Sequence, residues 1–250
     1  MPSDKYIRGQ IGSNIEKLAR VLSKYEIVRD VGPLYNAASQ CRDYKTREMW
    51  GYEFDNLIFN RMGNLKRLPS SVEKEDISLR LSISTEGKCH PKEYEDPLSK
   101  LEFFIWIEGQ CIGDSGEIET PSCAWHLDRH ISAEKKGTNP PEFMHPCYHF
   151  HFGGRHFESL FVNKALPVLL LDSPRIAHPP LEAILGVDFI LTNFIGSNLL
   201  GFRNEGEYSS MIREMQKSIW KPYIIALSNT LDISRKTEIW NPSIVWPQLI

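Results

Sequence analysis

The stretch ISLRLSIST, residues 77–85, decides the predicted fold. Its apolar residues Ile77, Leu79, Leu81 and Ile83 alternate with polar ones, which is typical of a strand that buries one of its two faces. Residues 11–28, earlier in the chain, have helical spacing instead. We therefore expect a β-sheet to begin near this point.

The segments that follow predict further strands. They are short, the first of them is rich in aromatic and β-branched residues, and most of them are not separated by helices, which favours an antiparallel sheet. These segments are residues 101–112, 122–130, 145–154 and 165–173. Residues 52–60 fit either a strand or a helix.

Helices are predicted on both sides of the sheet. Apolar residues recur at helical spacing over residues 11–28, which indicates an amphipathic helix. Residues 178–194 open with two prolines and predict a buried helix. Residues 207–220 predict an amphipathic helix that Pro222 ends or kinks.

The predicted architecture is one α+β domain over residues 1–250. It has an N-terminal helical segment (1–50), an antiparallel sheet (75–175), and C-terminal helices with an extended tail (178–250). A length of 250 residues with 41% hydrophobic content is enough to form a core without cross-links.

Net charge, missing motifs and hydropathy argue against several classes of protein. The net charge of −3 argues against a general nucleic-acid binder, which needs excess Lys and Arg to neutralise phosphates. Nucleotide-triphosphate, dinucleotide, serine-hydrolase and zinc-protease motifs are missing from the sequence. The longest apolar stretch, residues 181–202, carries Glu182, Asp188 and Asn193 and does not fit a membrane span.

The N-terminal sequence and the cysteine pattern both favour a cytoplasmic location. The N-terminus has no apolar signal segment. Five single cysteines without a CxxC pair fit a reducing compartment better than a disulfide framework. We therefore expect a cytoplasmic protein.

Histidines are concentrated in one part of the chain. Six of the eight lie between His126 and His156, mainly in WHLDRH (125–130) and HPCYHFHF (145–152). We assign structural roles to His90 and His156, and expect His145, which precedes Pro146, to mark the start of a strand.

Strand alternation sorts these histidines onto one side. Side chains two residues apart share a face of a strand. His126, Asp128 and His130 therefore share one face of the first segment, and His149 and His151 share one face of the second. If the two strands are neighbours, all five side chains lie on one surface.

Two kinds of chemistry suit such a surface. Imidazoles can take a proton from a nucleophile and return it to a leaving group, with Asp128 orienting a ring. Two histidines can cleave RNA in this way through the ribose 2′-OH, with Arg155 or Arg175 stabilising the phosphorane. Alternatively, His126, His149 and His151 bind a divalent metal, zinc or manganese.

Residues around the turn at 169–180 are candidate supporting groups. Arg175 and His178 lie where a predicted strand ends, a place where functional groups are often exposed. Asp188 lies within a predicted buried helix and needs a partner. A histidine of the cluster or Arg175 fits that role, and a salt bridge elsewhere in the core fits it equally well.

The stretch WHLDRH…HPCYHFHF, residues 125–152, resembles the small TumE-like toxins of bacterial toxin–antitoxin loci. In those chains an aromatic-rich strand with His and Asp precedes a strand with clustered histidines. The resemblance implies ribonuclease-like toxicity carried by His126, Asp128, His149 and His151, together with a neutralising protein partner.

We therefore expect a hydrolase, and favour a nuclease that acts on RNA or a nucleotide. The alternative is a non-enzymatic accessory protein of a bacterial defence or toxin–antitoxin locus, which binds a metal or a partner through the same residues. The sequence leaves the oligomeric state open.

Overall fold

The computed structural model describes residues 2–60, 72–73, 76–92, 95–113, 115–130, 146–153, 175–195 and 197–231. Two helices open the chain, α1 (Asp4–Lys24) and α2 (Gly32–Arg42). The strands are β1 (Met49–Phe59), β2 (Ser78–Lys88), β3 (Leu98–Glu108), β4 (Cys111–Ile112), β5 (Ile118–Glu119), β6 (Ser122–Arg129), β7 (Tyr148–Phe152) and β8 (Ile176–Ala177).

The C-terminal part is helical as far as the structure describes it. It comprises α3 (Ala183–Ile190), a π-helical turn (Leu191–Ile195), a 3-10 segment (Ser197–Asn204), α4 (Gly206–Met215), a second π-helical turn (Gln216–Trp220) and α5 (Lys221–Leu231). No helix within the described ranges is long and apolar enough to cross a membrane.

Six strands form one sheet in the order β1-β2-β3-β6-β7-β8, and every neighbouring pair is antiparallel. The β4–β5 hairpin stands beside it as a two-stranded ribbon. Gly116 makes the hairpin turn possible, because its φ of +80° is a conformation that other residues rarely adopt. An α+β fold with an antiparallel sheet between N- and C-terminal helices is thereby confirmed.

One face of the sheet carries the core, and we call it the helix-covered face. Leu79, Leu81 and Ile83 of β2 are buried while the residues between them are partly exposed, as the alternation predicts. Helix α3 packs here, since a Cβ atom added to Gly186 would meet the ring of Phe103 and the end of Ile83.

The first helix begins earlier and ends earlier than its apolar pattern indicates. The Ser3 hydroxyl accepts a hydrogen bond from the Tyr6 backbone N–H, which caps α1 at Asp4. The helix ends at Lys24, and Glu26 adopts a left-handed φ of 51°. Helix α2 lies within the predicted N-terminal helical segment (1–50), but its bounds were not predicted, because its small residues give little apolar periodicity; Pro33 lies in its first turn. The ambiguous segment 52–60 belongs to strand β1.

The helix start predicted from the two prolines was wrong, and of the two effects predicted for Pro222, an end or a kink, the end is not observed. The helix expected from residue 178 starts at Ala183, where the Glu182 carboxylate accepts hydrogen bonds from the Ile184 and Leu185 N–H groups. Pro222 does not end the last helix, which continues as α5 to Leu231. A π-helical turn directly precedes α5, and such a local widening accommodates a missing backbone donor. The predicted strand 165–173, the loop 131–144 and the tail beyond residue 231 lie outside the described residues.

Candidate active site

Strands β6 and β7 are neighbours, so the pairing on which the candidate site depends is present. His126 lies directly opposite His151, and Asp128 directly opposite His149. Directly opposed residues of an antiparallel pair project from the same face. We call this side, opposite to the helix-covered face, the histidine face.

His126 and His151 form a contacting pair. Nε2 of His126 lies 3.2 Å from Nδ1 of His151, and the rings meet edge to face with centroids 4.7 Å apart. The same Nε2 lies 3.3 Å from Oδ2 of Asp128. Only one proton can lie between two imidazole nitrogens at this distance, so the pair is arranged to share a proton beside a carboxylate.

Asp128 has a raised pKa. Burial is the larger cause and the negative charge of Glu102, directly opposite on β3, is the second; together they raise the pKa of Asp128 to about 6. Its side chain remains 41% exposed, against 16% for His126. A carboxyl group that titrates near neutrality beside an imidazole can exchange protons at physiological pH.

His149 is held more rigidly. It is only 5% exposed, and its Nδ1 lies 3.1 Å from the carbonyl oxygen of Pro146. Because a carbonyl can only accept, Nδ1 carries the proton in this contact. This burial suits a positioning role next to Asp128 better than direct contact with a large substrate.

Two more predicted residues lie at strand ends, His130 at the end of β6 away from the pair and Arg175 next to it. His130 follows β6, and its backbone N–H donates to the Cys147 carbonyl oxygen at 2.7 Å. Arg175 precedes Ile176, which lies opposite Phe150, so the antiparallel register brings the Arg175 backbone towards His151. Arg155 lies outside the described residues.

His178 and Asp188 do not belong to the site. The His178 ring packs edge to face against Phe150 and Phe189 on the helix-covered face, where burial lowers its pKa. Asp188 forms a two-pronged ion pair with Arg203, with both distances 2.8 Å, and accepts a hydrogen bond from Tyr208. The alternative of a salt bridge elsewhere in the core is therefore the one observed.

His90 and Arg129 also have structural partners. Nε2 of His90 lies 3.1 Å from Oδ1 of Asp4 and joins the end of β2 to α1. Arg129 projects away from the histidine face, as alternation predicts, and pairs with the buried Asp96 at 2.9 Å. His145 and His156 lie outside the described residues.

Sequence inspection missed part of the histidine face. Phe104 lies directly opposite His126, and Trp106 opposite Ala124. Together with Arg80, Ser82 and Asn56 these rings line a concave pocket of about 310 Å³. The alternation within LEFFIWIE carries the signal, because it places Phe104 and Trp106 on the face opposite to Phe103 and Ile105.

The predicted metal alternative gains no geometric support from these residues. Within the described part of the chain, no group of three or more His, Cys, Asp or Glu side chains is arranged to hold a metal ion. The trio His126, His149 and His151 is accordingly not assembled as a ligand set.

Comparison with protein families, with characterised proteins and with solved structures found no match to this chain.

Proposed function

We propose that the protein is a hydrolase, most specifically a ribonuclease, whose His126–His151 pair performs acid–base catalysis. The single observation that carries the proposal is the contact of 3.2 Å between the two imidazoles, with Asp128 at 3.3 Å from the same nitrogen. The neutral pair, which carries one N–H proton on each ring, can accept a further proton from a nucleophile and then give one to the leaving group, which is what phosphodiester cleavage in RNA requires.

The proposed reaction is a transesterification. The ribose 2′-OH gives its proton to the histidine pair while its oxygen attacks phosphorus. The bond from phosphorus to the 5′-oxygen breaks, and the pair returns the proton to that oxygen. The products are a 2′,3′-cyclic phosphate and a 5′-hydroxyl end, and no redox partner is needed.

Asp128 and Arg175 have supporting roles in this scheme. The Asp128 carboxylate stabilises the protonated pair by its charge. Arg175, which the register of β8 brings towards His151, is the candidate for stabilising the negative phosphorane. His149, which its contact with the Pro146 carbonyl oxygen holds in place, lies opposite Asp128 and is the candidate for positioning that side chain.

Alanine substitution tests the proposal. Cleavage of RNA and DNA oligonucleotides is measured with and without a chelator. We expect H126A and H151A each to lower kcat/KM on RNA by about 100-fold or more, since acid–base groups contribute roughly 10²–10⁴-fold. His90, which binds Asp4 far from the pair, supplies the control H90Q, for which we expect unchanged cleavage.

Unchanged cleavage in both alanine variants would overturn the proposal. Loss of wild-type activity in the chelator would instead favour metal-assisted hydrolysis. No cleavage by the wild type would favour a non-enzymatic protein that binds a partner through the histidine face. The resemblance to TumE-like toxins adds the proposal of a bacterial toxin–antitoxin context, with a neutralising protein as partner.

A further inference from the structure

The pocket beside the histidine pair has a definite chemical character. Phe104 and Trp106 form its aromatic wall, with ring centroids 6.2 Å apart and planes inclined by 34°. Its volume of about 310 Å³ lies at the lower end of small-ligand sites, roughly 300–1,000 Å³. Flat aromatic walls of this kind bind planar rings by stacking.

The charge of the pocket is balanced. Arg80 is paired with Glu108, and Glu108 also accepts a hydrogen bond from Nε1 of Trp106 at 2.9 Å. Because Glu108 offsets the guanidinium charge, the pocket has no excess positive charge to attract a free phosphate. Glu108 also fixes the orientation of the Trp106 ring.

Neutral polar groups complete the rim. Asn56 lies in a bulge of β1, where its φ is 55° and its backbone N–H donates to the Ser82 hydroxyl at 3.1 Å. The Asn56 amide offers both a donor and an acceptor. An aromatic wall with a neutral amide suits an uncharged, planar heterocycle with hydrogen-bonding edges, such as a nucleobase.

The position of the pocket links it to the histidine pair. Phe104 and His126 are directly opposed on neighbouring strands, which lie about 4.8 Å apart. A base stacked on Phe104 therefore places its own ribose and phosphate over His126 and His151.

From these observations we infer that the Phe104–Trp106 pocket binds one unpaired base of single-stranded RNA and so positions the adjoining phosphodiester over the histidine pair. The choice of RNA rests on the proposed function. A base held inside a helical stack cannot enter the pocket, so single-stranded RNA binds and duplex RNA does not.

The test measures binding separately from cleavage. A fluorescent single-stranded oligonucleotide with 2′-O-methyl groups cannot undergo transesterification, so its affinity for the full chain is measured by anisotropy. We expect F104A and W106A each to weaken binding about tenfold, in line with the effect of removing one base–aromatic stack. F104Y and W106F keep a ring, and we expect them to bind within about threefold of the wild type.

Two further variants keep the test decisive. Y35A removes an exposed aromatic ring on α2 and is expected to leave binding unchanged. Glycine readily adopts the positive φ of position 56, so N56G removes the side-chain amide without backbone strain. We expect N56G to weaken binding several-fold. This variant still tests the pocket if thermal unfolding shows that F104A does not fold.

Wild-type affinity in F104A, W106A and N56G would overturn the inference, as would equal competition by a duplex or no binding by the wild type. Binding through the pocket without cleavage of ordinary RNA would refute the ribonuclease alone. Cleavage that is unaffected in F104A and W106A would refute the pocket alone.

Discussion

Asp128 has three titratable side chains as neighbours on its own strand and on the two adjacent strands. His126 lies 3.3 Å from it on the same strand, His149 lies opposite on β7, and Glu102 lies opposite on β3. Glu102 is itself paired with Lys100 at 3.3 Å and is 64% exposed. Of these neighbours, Glu102 is the one that raises the pKa of Asp128 through its charge.

Replacement of Glu102 tests this electrostatic role. With the pKa of Asp128 at about 6, the carboxylate that stabilises the protonated pair is lost as pH falls through 6, so we expect activity to fall on the acidic side. Burial, the larger cause of the raised pKa, remains in E102Q, but the variant removes the contribution of the Glu102 charge, so the acidic limb moves to lower pH. Profiles of kcat/KM against pH on an RNA oligonucleotide measure the shift.

The control for this charge change is E207Q. Glu207 is exposed in the first turn of α4. E207Q changes the net charge by the same amount as E102Q, and we expect it to leave the pH profile of kcat/KM unchanged. An acidic limb at the same pH in E102Q and the wild type would show that Asp128 does not control it.

The sequence predicts which residues form the histidine face of β6 and β7, but not which residues of other strands lie beside them. Alternation correctly groups His126, Asp128, His149 and His151 because it depends only on strand geometry. It does not reveal which strand lies on the other side of β6, so Glu102 and Phe104 were missed.

Packing between α3 and the sheet depends on one small residue. A Cβ atom at Gly186 would lie 2.6 Å from Cε2 of Phe103 and 3.3 Å from Cδ1 of Ile83. Gly9, near the start of α1, has nothing within 4 Å of the same position. Alanine substitution at Gly9 therefore changes helix propensity alone, whereas at Gly186 it changes both helix propensity and packing.

We expect the two alanine substitutions to act in opposite directions. G9A gains helix propensity of up to about 1 kcal/mol. G186A gains the same propensity but forces the ring of Phe103 to move, at a cost of about 1–3 kcal/mol, so its net effect is destabilising. Urea denaturation gives both free energies of unfolding, and equal stabilisation by the two variants would contradict this packing.

Elements with strong periodicity are predictable, and elements whose bounds depend on hydrogen bonds between distant parts of the chain are not. The alternation of ISLRLSIST gives strand β2, which spans Ser78–Lys88. The start of α3 depends instead on the buried Glu182, which caps the helix and accepts a hydrogen bond from Tyr52 at 2.9 Å. That contact joins residues 130 positions apart, so no local pattern indicates it.

Both ends of the described chain contribute to one core. Buried residues of α1, α2, the sheet and the C-terminal helices form a single hydrophobic cluster. Polar contacts also join the ends: Tyr25 donates to Glu205, and Nδ2 of Asn14 lies 3.4 Å from Glu214. The order of helices and sheet was predictable from periodicity, whereas these contacts across the molecule were not.

The Asp188–Arg203 ion pair holds the C-terminal helical layer together. R203A leaves a carboxylate that is 8% exposed and that keeps only the hydrogen bond from the Tyr208 hydroxyl among the side-chain contacts described above. Because the Arg203 side chain is 37% exposed and water screens the pair, we expect a loss of about 1–2 kcal/mol, less than for a fully buried pair. R213A removes an exposed charge from α4 and is expected to change stability by less than about 0.5 kcal/mol.

Thermal or urea unfolding followed by circular dichroism and by tryptophan fluorescence measures both variants. Because the core is continuous, the two probes should report the same transition. Equal stabilities of R203A and R213A would contradict the role of the ion pair.

The most direct test of the histidine face as a metal-independent catalytic surface is the chemistry of the RNA ends that it produces. A labelled RNA oligonucleotide is incubated with the wild-type protein in the presence of a chelator, and the new termini are identified by mass spectrometry. We predict 2′,3′-cyclic phosphate and 5′-hydroxyl ends, formed by the wild type and not by H151A. Intact RNA, or ends bearing a 5′-phosphate, would contradict the proposed chemistry.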